Sequence, residues 1–231
     1  MLLIKRVDLC SAVLLQTKPR FQDLIDPNED EPTDFGPLSD LTLSYGMDLG
    51  MALFKLTGFR KLSEDSVKIY CGLRNLTMML DSIRPRDFKS SDDIQFSNKL
   101  YLIERRVVSL IETGDLSNQH GDSRYVFSSL CHAVLVYIYS KLRALPKSAH
   151  LFGELSERLR ASLQMADMTL FSRRLPRMVR WILIVGAGTA VEAPNKAWYI
   201  SQLANLGVVW DSKDKEKTTS LANEFLWPER I

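Results

Sequence analysis

The 231-residue chain is poor in cysteine, with three in all, and in histidine, also with three. Cys10, Cys71 and Cys131 lie far apart, each in an apolar context. That spacing excludes a CxxC redox pair, a zinc site and a disulfide framework, and leaves buried free thiols in a reducing compartment as the expectation. Charge of one sign is lacking as well. The formal net charge of +2 gives no global attraction for nucleic acid or membrane, although a local patch is compatible with it. The first sixteen residues carry Lys5, Arg6 and Asp8, so they lack the unbroken apolar core of a signal peptide. The longest apolar run, Trp181 to Val191, falls short of the roughly 20 residues that span a bilayer. A soluble, intracellular protein is expected. Strand-like alternation is sparse, and no Asn-Gly or Asp-Gly turn joins two β-like runs.

What is present is helical periodicity. Phe127, Leu130, Cys131, Val134, Leu135, Ile138 and Leu142 share one face, and Ala133, Val136 and Tyr137 make the other face apolar too. A helix apolar all round is expected at the centre of the molecule, and Pro146 ends it. An amphipathic helix follows through Phe152, Leu155, Leu159, Leu163 and Ala166, with Glu154 placed to pair with Arg158. Pro176 is suited to open a helix lined by Met178, Trp181, Ile182 and Val185, with Ala187 and Gly188 leaving room for a neighbour. Pro194 and Gly207 bracket another, containing Trp198, Tyr199, Leu203 and Leu206. Upstream, Phe96 to Ile111 marks a helix stopped by Gly114. Ser63 is placed to cap one running to Leu80, and Leu49, Leu53 and Leu56 mark one between Leu41 and Gly58. The expected fold class is all-α: seven to eight helices in a single domain at 41–231, preceded by an N-terminal helix and acidic loop at 1–40.

The run "RWILIVGAGTAVEA" raises the question of a cofactor. Gly186-Ala187-Gly188 follows an apolar stretch, and Asp211 lies downstream where a ribose-binding acid would be. Three features oppose a nucleotide-dependent enzyme built on the Gly186–Gly188 turn. Val191 stands where a third small residue is needed. Pro194 falls inside the helix that must begin at the phosphate, at a cost of about 3 kcal/mol. The remaining chain also lacks alternating strands and helices. Asp26, Asn28 and Asp30 resemble the start of a calcium loop, but Glu31 and Pro37 occupy the positions of its glycine and bidentate glutamate. His120 and His150 are read as turn residues and His132 as structural. The Ser129-Leu130-Cys131-His132 run is no triad, since adjacent helical residues do not face each other. No catalytic residue, cofactor or metal ligand is assigned.

One charged cluster remains. Arg173, Arg174, Arg177 and Arg180 precede the apolar run, and Arg173, Arg177 and Arg180 would share a helical face open to phosphates or to a partner's acids. They are the candidate partner-contact residues, together with the acidic loop from Asp23 to Asp34.

The ordered segments "AVLVYIYSKLRALP", "LFGELSERLRASL", "RRLPRMVRWILIVGAGTAVEAPNKAWYISQLANLGV" and "EFLWPERI" resemble the C-terminal regulatory region of fungal-specific transcription factors. The landmarks are Tyr137, Leu142, Arg143 and Pro146, then Leu155, Leu159 and Leu163. Trp181, Gly186, Ala190, Glu192, Ala197 and Trp198 follow, and Phe225, Leu226 and Trp227 come last. The match covers about 127 to 227, with a looser helical extension back to Leu41. The resemblance implies an all-helical, non-enzymatic regulatory domain in the nucleus, acting through protein partners, self-association or a small effector. The family's six-cysteine DNA-binding cluster has no counterpart among the three dispersed cysteines, so direct DNA binding by this chain is not expected. Part or remnant of such a factor is one reading, and a stand-alone helical interaction or scaffold protein with no role at DNA is the other; apart from the resemblance, a cytoplasmic location is expected.

Overall fold

The structure, a computed structural model, describes residues 2–15, 17, 39–82, 90–112, 123–146, 148–208 and 220–226. Nine α-helices, a further helical turn at 220–223 and no strand occur among them: α1 (Leu2–Leu15), α2 (Asp40–Thr57), α3 (Arg60–Ser82), α4 (Ser90–Glu112), α5 (Ser123–Tyr137), α6 (His150–Met165), α7 (Met168–Arg174), α8 (Pro176–Thr189) and α9 (Ala193–Asn205). A π-helical segment, Ile138–Leu142, continues α5 without a break. The all-α class is as expected, and the short α7 is an element that periodicity did not signal.

Helix α5 is the axis of the molecule. It packs against α2, α4, α6 and α8, and every residue from Val126 to Tyr139 except Ser128 is buried. The continuous rod Ser123–Leu142 is long and apolar enough by itself to cross a membrane, yet 78% of its apolar 18-residue window is buried inside the bundle, so that apolar surface is largely covered by protein. This rod, not the Trp181 run, is the longest apolar helix among the described residues.

Local chemistry explains the element boundaries. Ser39 caps α2 by accepting from the Thr42 N–H at 3.2 Å, and Gly58 closes it with φ of 78°, its N–H donating to the Phe54 carbonyl. The chain re-enters a helix at Arg60, so Ser63 is inside α3 and is not its cap. Its hydroxyl bonds back to the Phe59 carbonyl at 2.7 Å, the usual recourse of serine within a helix. His150 opens α6 and is not a turn residue. Pro194 and Gly207 bracket α9 as expected, Gly207 with φ of 74°.

The elements are tied together by a few long-range contacts. Gly46 and Gly50 bring α2 close to α3, where an added Cβ at Gly50 would stand 2.7 Å from Val67. Helix α1 packs on α4 and α6, burying Ala12 and Val13, and Arg158 caps its end by donating to the Val13 and Leu14 carbonyls. Residues 220–226 seat Phe225 against Tyr45, Tyr70 and Trp181, and the Trp181 indole donates to the Leu226 carbonyl at 2.6 Å.

Candidate functional site

The four candidate arginines do not lie on one helix. Pro176 disfavours the α conformation in the residue before it, and Leu175 takes φ of −134° and ψ of 55°, ending α7 and beginning α8. Arg173 and Arg174 therefore form the exposed last turn of α7, where cations complement the helix dipole. Arg177 and Arg180 belong to the opening turns of α8. The shared helical face expected for Arg173, Arg177 and Arg180 is replaced by two short basic edges. The side chains of the second edge are also occupied. The Arg177 guanidinium lies 5.7 Å from the Tyr45 ring centre, and Arg180 is ion-paired with Glu224 at 2.5 Å. This half of the cluster links α2 and residues 220–226 to α8, although Arg177 is exposed to solvent, as Arg173 and Arg174 are. The acidic loop 23–34 and the calcium-like stretch 26–37 lie outside the described residues.

Gly186, Ala187 and Gly188 lie in the last turn of α8, which ends at Thr189, and the Gly186 carbonyl accepts from the Ala190 N–H. The amides of this stretch belong to the helix and build no phosphate-cradling turn at its start. The glycine that admits a neighbour is Gly186, since its missing side chain leaves space for the ring of Tyr199. Gly188 is exposed, with nothing nearby. The expectation that Gly188 serves the close approach is corrected accordingly. Asp211, the other half of the dinucleotide pattern, lies outside the described residues.

The densest polar constellation was not singled out from the sequence. Glu104 of α4 is fully buried, and accepts from the Tyr139 hydroxyl at 2.5 Å and from an Nη of Arg143. Both donors are placed by the π-helical segment. Its wider turn lets the Arg143 N–H bond the Ile138 carbonyl, and Ala144, at φ of 47°, then breaks the helix. Cys10 of α1 reaches the same spot. Burial and the Glu104 charge raise the Cys10 thiol and hold Tyr139 well above the ordinary phenol range. Near neutral pH both keep their protons, so the cluster is a clamp joining α1, α4 and the end of α5, with no activated nucleophile in it. A signal did exist: Glu104 stands on the same face as Leu100, Val107 and Val108, where an acid needs a buried partner.

His132 also has serine neighbours. Its Nδ1 is 2.8 Å from the Ser128 carbonyl and 3.3 Å from the Ser128 hydroxyl, which in turn lies 2.8 Å from Ser162. With Nδ1–H donated to the carbonyl, that nitrogen has no lone pair to take a serine proton. Burial, reinforced by the Arg158 charge and opposed by the Ser128 carbonyl, lowers the imidazole to about 4. Cys71 and Cys131 are buried free thiols, Cys131 pushed up to about 12 by burial, and Cys10 is partly buried. Among the described residues no three His, Cys, Asp or Glu side chains come together as a metal-ion site. Comparison with protein-family models, with curated proteins and with solved structures gave no match.

Proposed function

We propose that the chain works by binding, as an all-helical regulatory domain of the fungal transcription-factor type, without enzymatic chemistry of its own and without a cofactor. In this reading it meets protein partners or a second copy, acts in the nucleus, and leaves contact with DNA to another element of the assembly. Its outward features are surfaces: the Arg173–Arg174 edge and the apolar side of α2.

The observation that supports the reading is the spatial convergence of landmarks far apart in the chain. The rings of Tyr137 and Trp181 are 5.7 Å apart, Phe225 sits 5.0 Å from Trp181, and Gly186 holds Tyr199 one turn further along α8. One packing constraint therefore accounts for their order and spacing, as a shared domain architecture would.

Tethering the chain to a heterologous DNA-binding domain upstream of a reporter tests the proposal, with a fluorescent fusion to follow location. Altered transcription and nuclear accumulation are expected. An inert tethered chain that stays in the cytoplasm would favour the stand-alone scaffold reading. Calorimetric titration with NAD and FAD covers the competing enzyme class, and binding that Gly188→Ala abolishes would overturn the proposal.

A further inference from the structure

Helix α2 has two apolar sides. Leu49 and Leu53, with Gly46 between the helices, face the core, whereas Leu43, Met47, Met51 and Phe54 are exposed to 45%, 67%, 53% and 47%. These four recur about once per turn and form a continuous stripe beside the buried face. Four neighbouring exposed apolar side chains are more than the scattered surface residues that need no explanation.

We infer that this stripe is a homodimer surface, in which α2 of one copy packs antiparallel on α2 of a second. The inference deepens the binding-module reading above and rests on it, naming the partner as another copy of this chain. Two features select that occupant. First, the stripe is self-complementary about a point between Met47 and Met51, as a two-fold interface demands. Turned end for end, Leu43 of one copy meets Phe54 of the other, and Met47 meets Met51, the pliable thioethers filling the centre. Second, the end charges favour that orientation. Asp40 lies in the first turn and Lys55 in the last, both exposed, so antiparallel copies bring each Asp40 to within about one turn of the partner's Lys55, while the exposed Asp48 of each copy flanks the centre of the seam. Parallel copies would set like against like. A single helix pair lies near the low end of specific interfaces, about 1,200 Å² in all, so a reversible dimer in the micromolar range is expected.

Sedimentation equilibrium of the full chain, at about 1 to 200 µM, tests this. A monomer–dimer equilibrium is expected, weakened at least about tenfold by Met47→Glu or Met51→Glu, since each would bury an unpaired carboxylate. Both positions are exposed in the single copy, so circular dichroism and Tm should be preserved. Asp40→Lys and Lys55→Asp should each weaken the dimer, and the double variant should recover it. The inference is overturned by a chain monomeric throughout, by a dimer indifferent to Met47→Glu, or by a double charge swap no tighter than the single ones. A monomer that still alters transcription when tethered would overturn the dimer and leave the functional proposal standing.

Discussion

A methyl group placed on Gly186 would stand 2.4 Å from Cε1 of Tyr199, a ring that is fully buried and anchored by its hydroxyl to the Ser156 carbonyl at 2.6 Å. The ring can retreat only by breaking that bond or shifting α9, so Gly186→Ala should destabilise the fold by about 2 kcal/mol, although alanine is the better helix former. Gly188, two residues on, is the control. It faces open space, and Gly188→Ala should be neutral or stabilising by up to about 1 kcal/mol. Urea denaturation of the two variants checks the pair, and equal effects would remove the Tyr199 explanation. The sequence pointed to Ala187 and Gly188 for the close approach and so picked the wrong glycine, because the ring that singles out Gly186 comes from another helix.

Among the elements, the π-helical end of α5 has the most specific requirement. Its Tyr139 and Arg143 converge on the fully buried Glu104 carboxylate of α4. Glu104→Gln keeps the shape but leaves the Arg143 guanidinium largely buried without an anion, and a loss of about 3 kcal/mol or more is expected. Pairing Glu104→Leu with Arg143→Met removes both charges and should recover much of that loss, measured as a double-mutant cycle by chemical denaturation. A cycle with no coupling would show the clamp to be energetically idle. Arg143 was visible in the sequence only through a resemblance, and Leu100, Ile103 and Val107 as a core face. The pairing itself was not visible, because periodicity reports which face is buried and says nothing of which polar group waits opposite. The split of the arginine cluster between α7 and α8 is different: Pro176 was legible as a helix opener, and its effect on Leu175 follows from local sterics.

At the scale of the whole molecule, stability depends on α5 remaining dry, and His132 carries that dependence on pH. Its imidazole lies at about 4 in the folded chain against 6.5 when free, because burial penalises the charged ring. Above pH 6.5 the ring is neutral in both states and costs nothing. As pH falls from 6.5 towards 4 the unfolded chain takes up a proton that the folded chain refuses, so stability is lost progressively, on the order of 3 kcal/mol in total. His132→Leu should flatten this slope between about pH 7 and pH 5 in urea unfolding, whatever its effect on baseline stability. An unchanged slope would place the titration elsewhere.

The all-helical class, the central position of α5 and most helix boundaries follow from the sequence by itself, because apolar spacing, proline and glycine act within a few residues of one another. Tertiary structure decided the remainder. It chose Gly186 over Gly188, gave Glu104 its two donors, set Arg177 over Tyr45 and Arg180 against Glu224, and left a second apolar side of α2 uncovered. Each of these depends on which helical faces meet across the bundle. Burial and charge pairing are set by such meetings between distant segments, which no local pattern records.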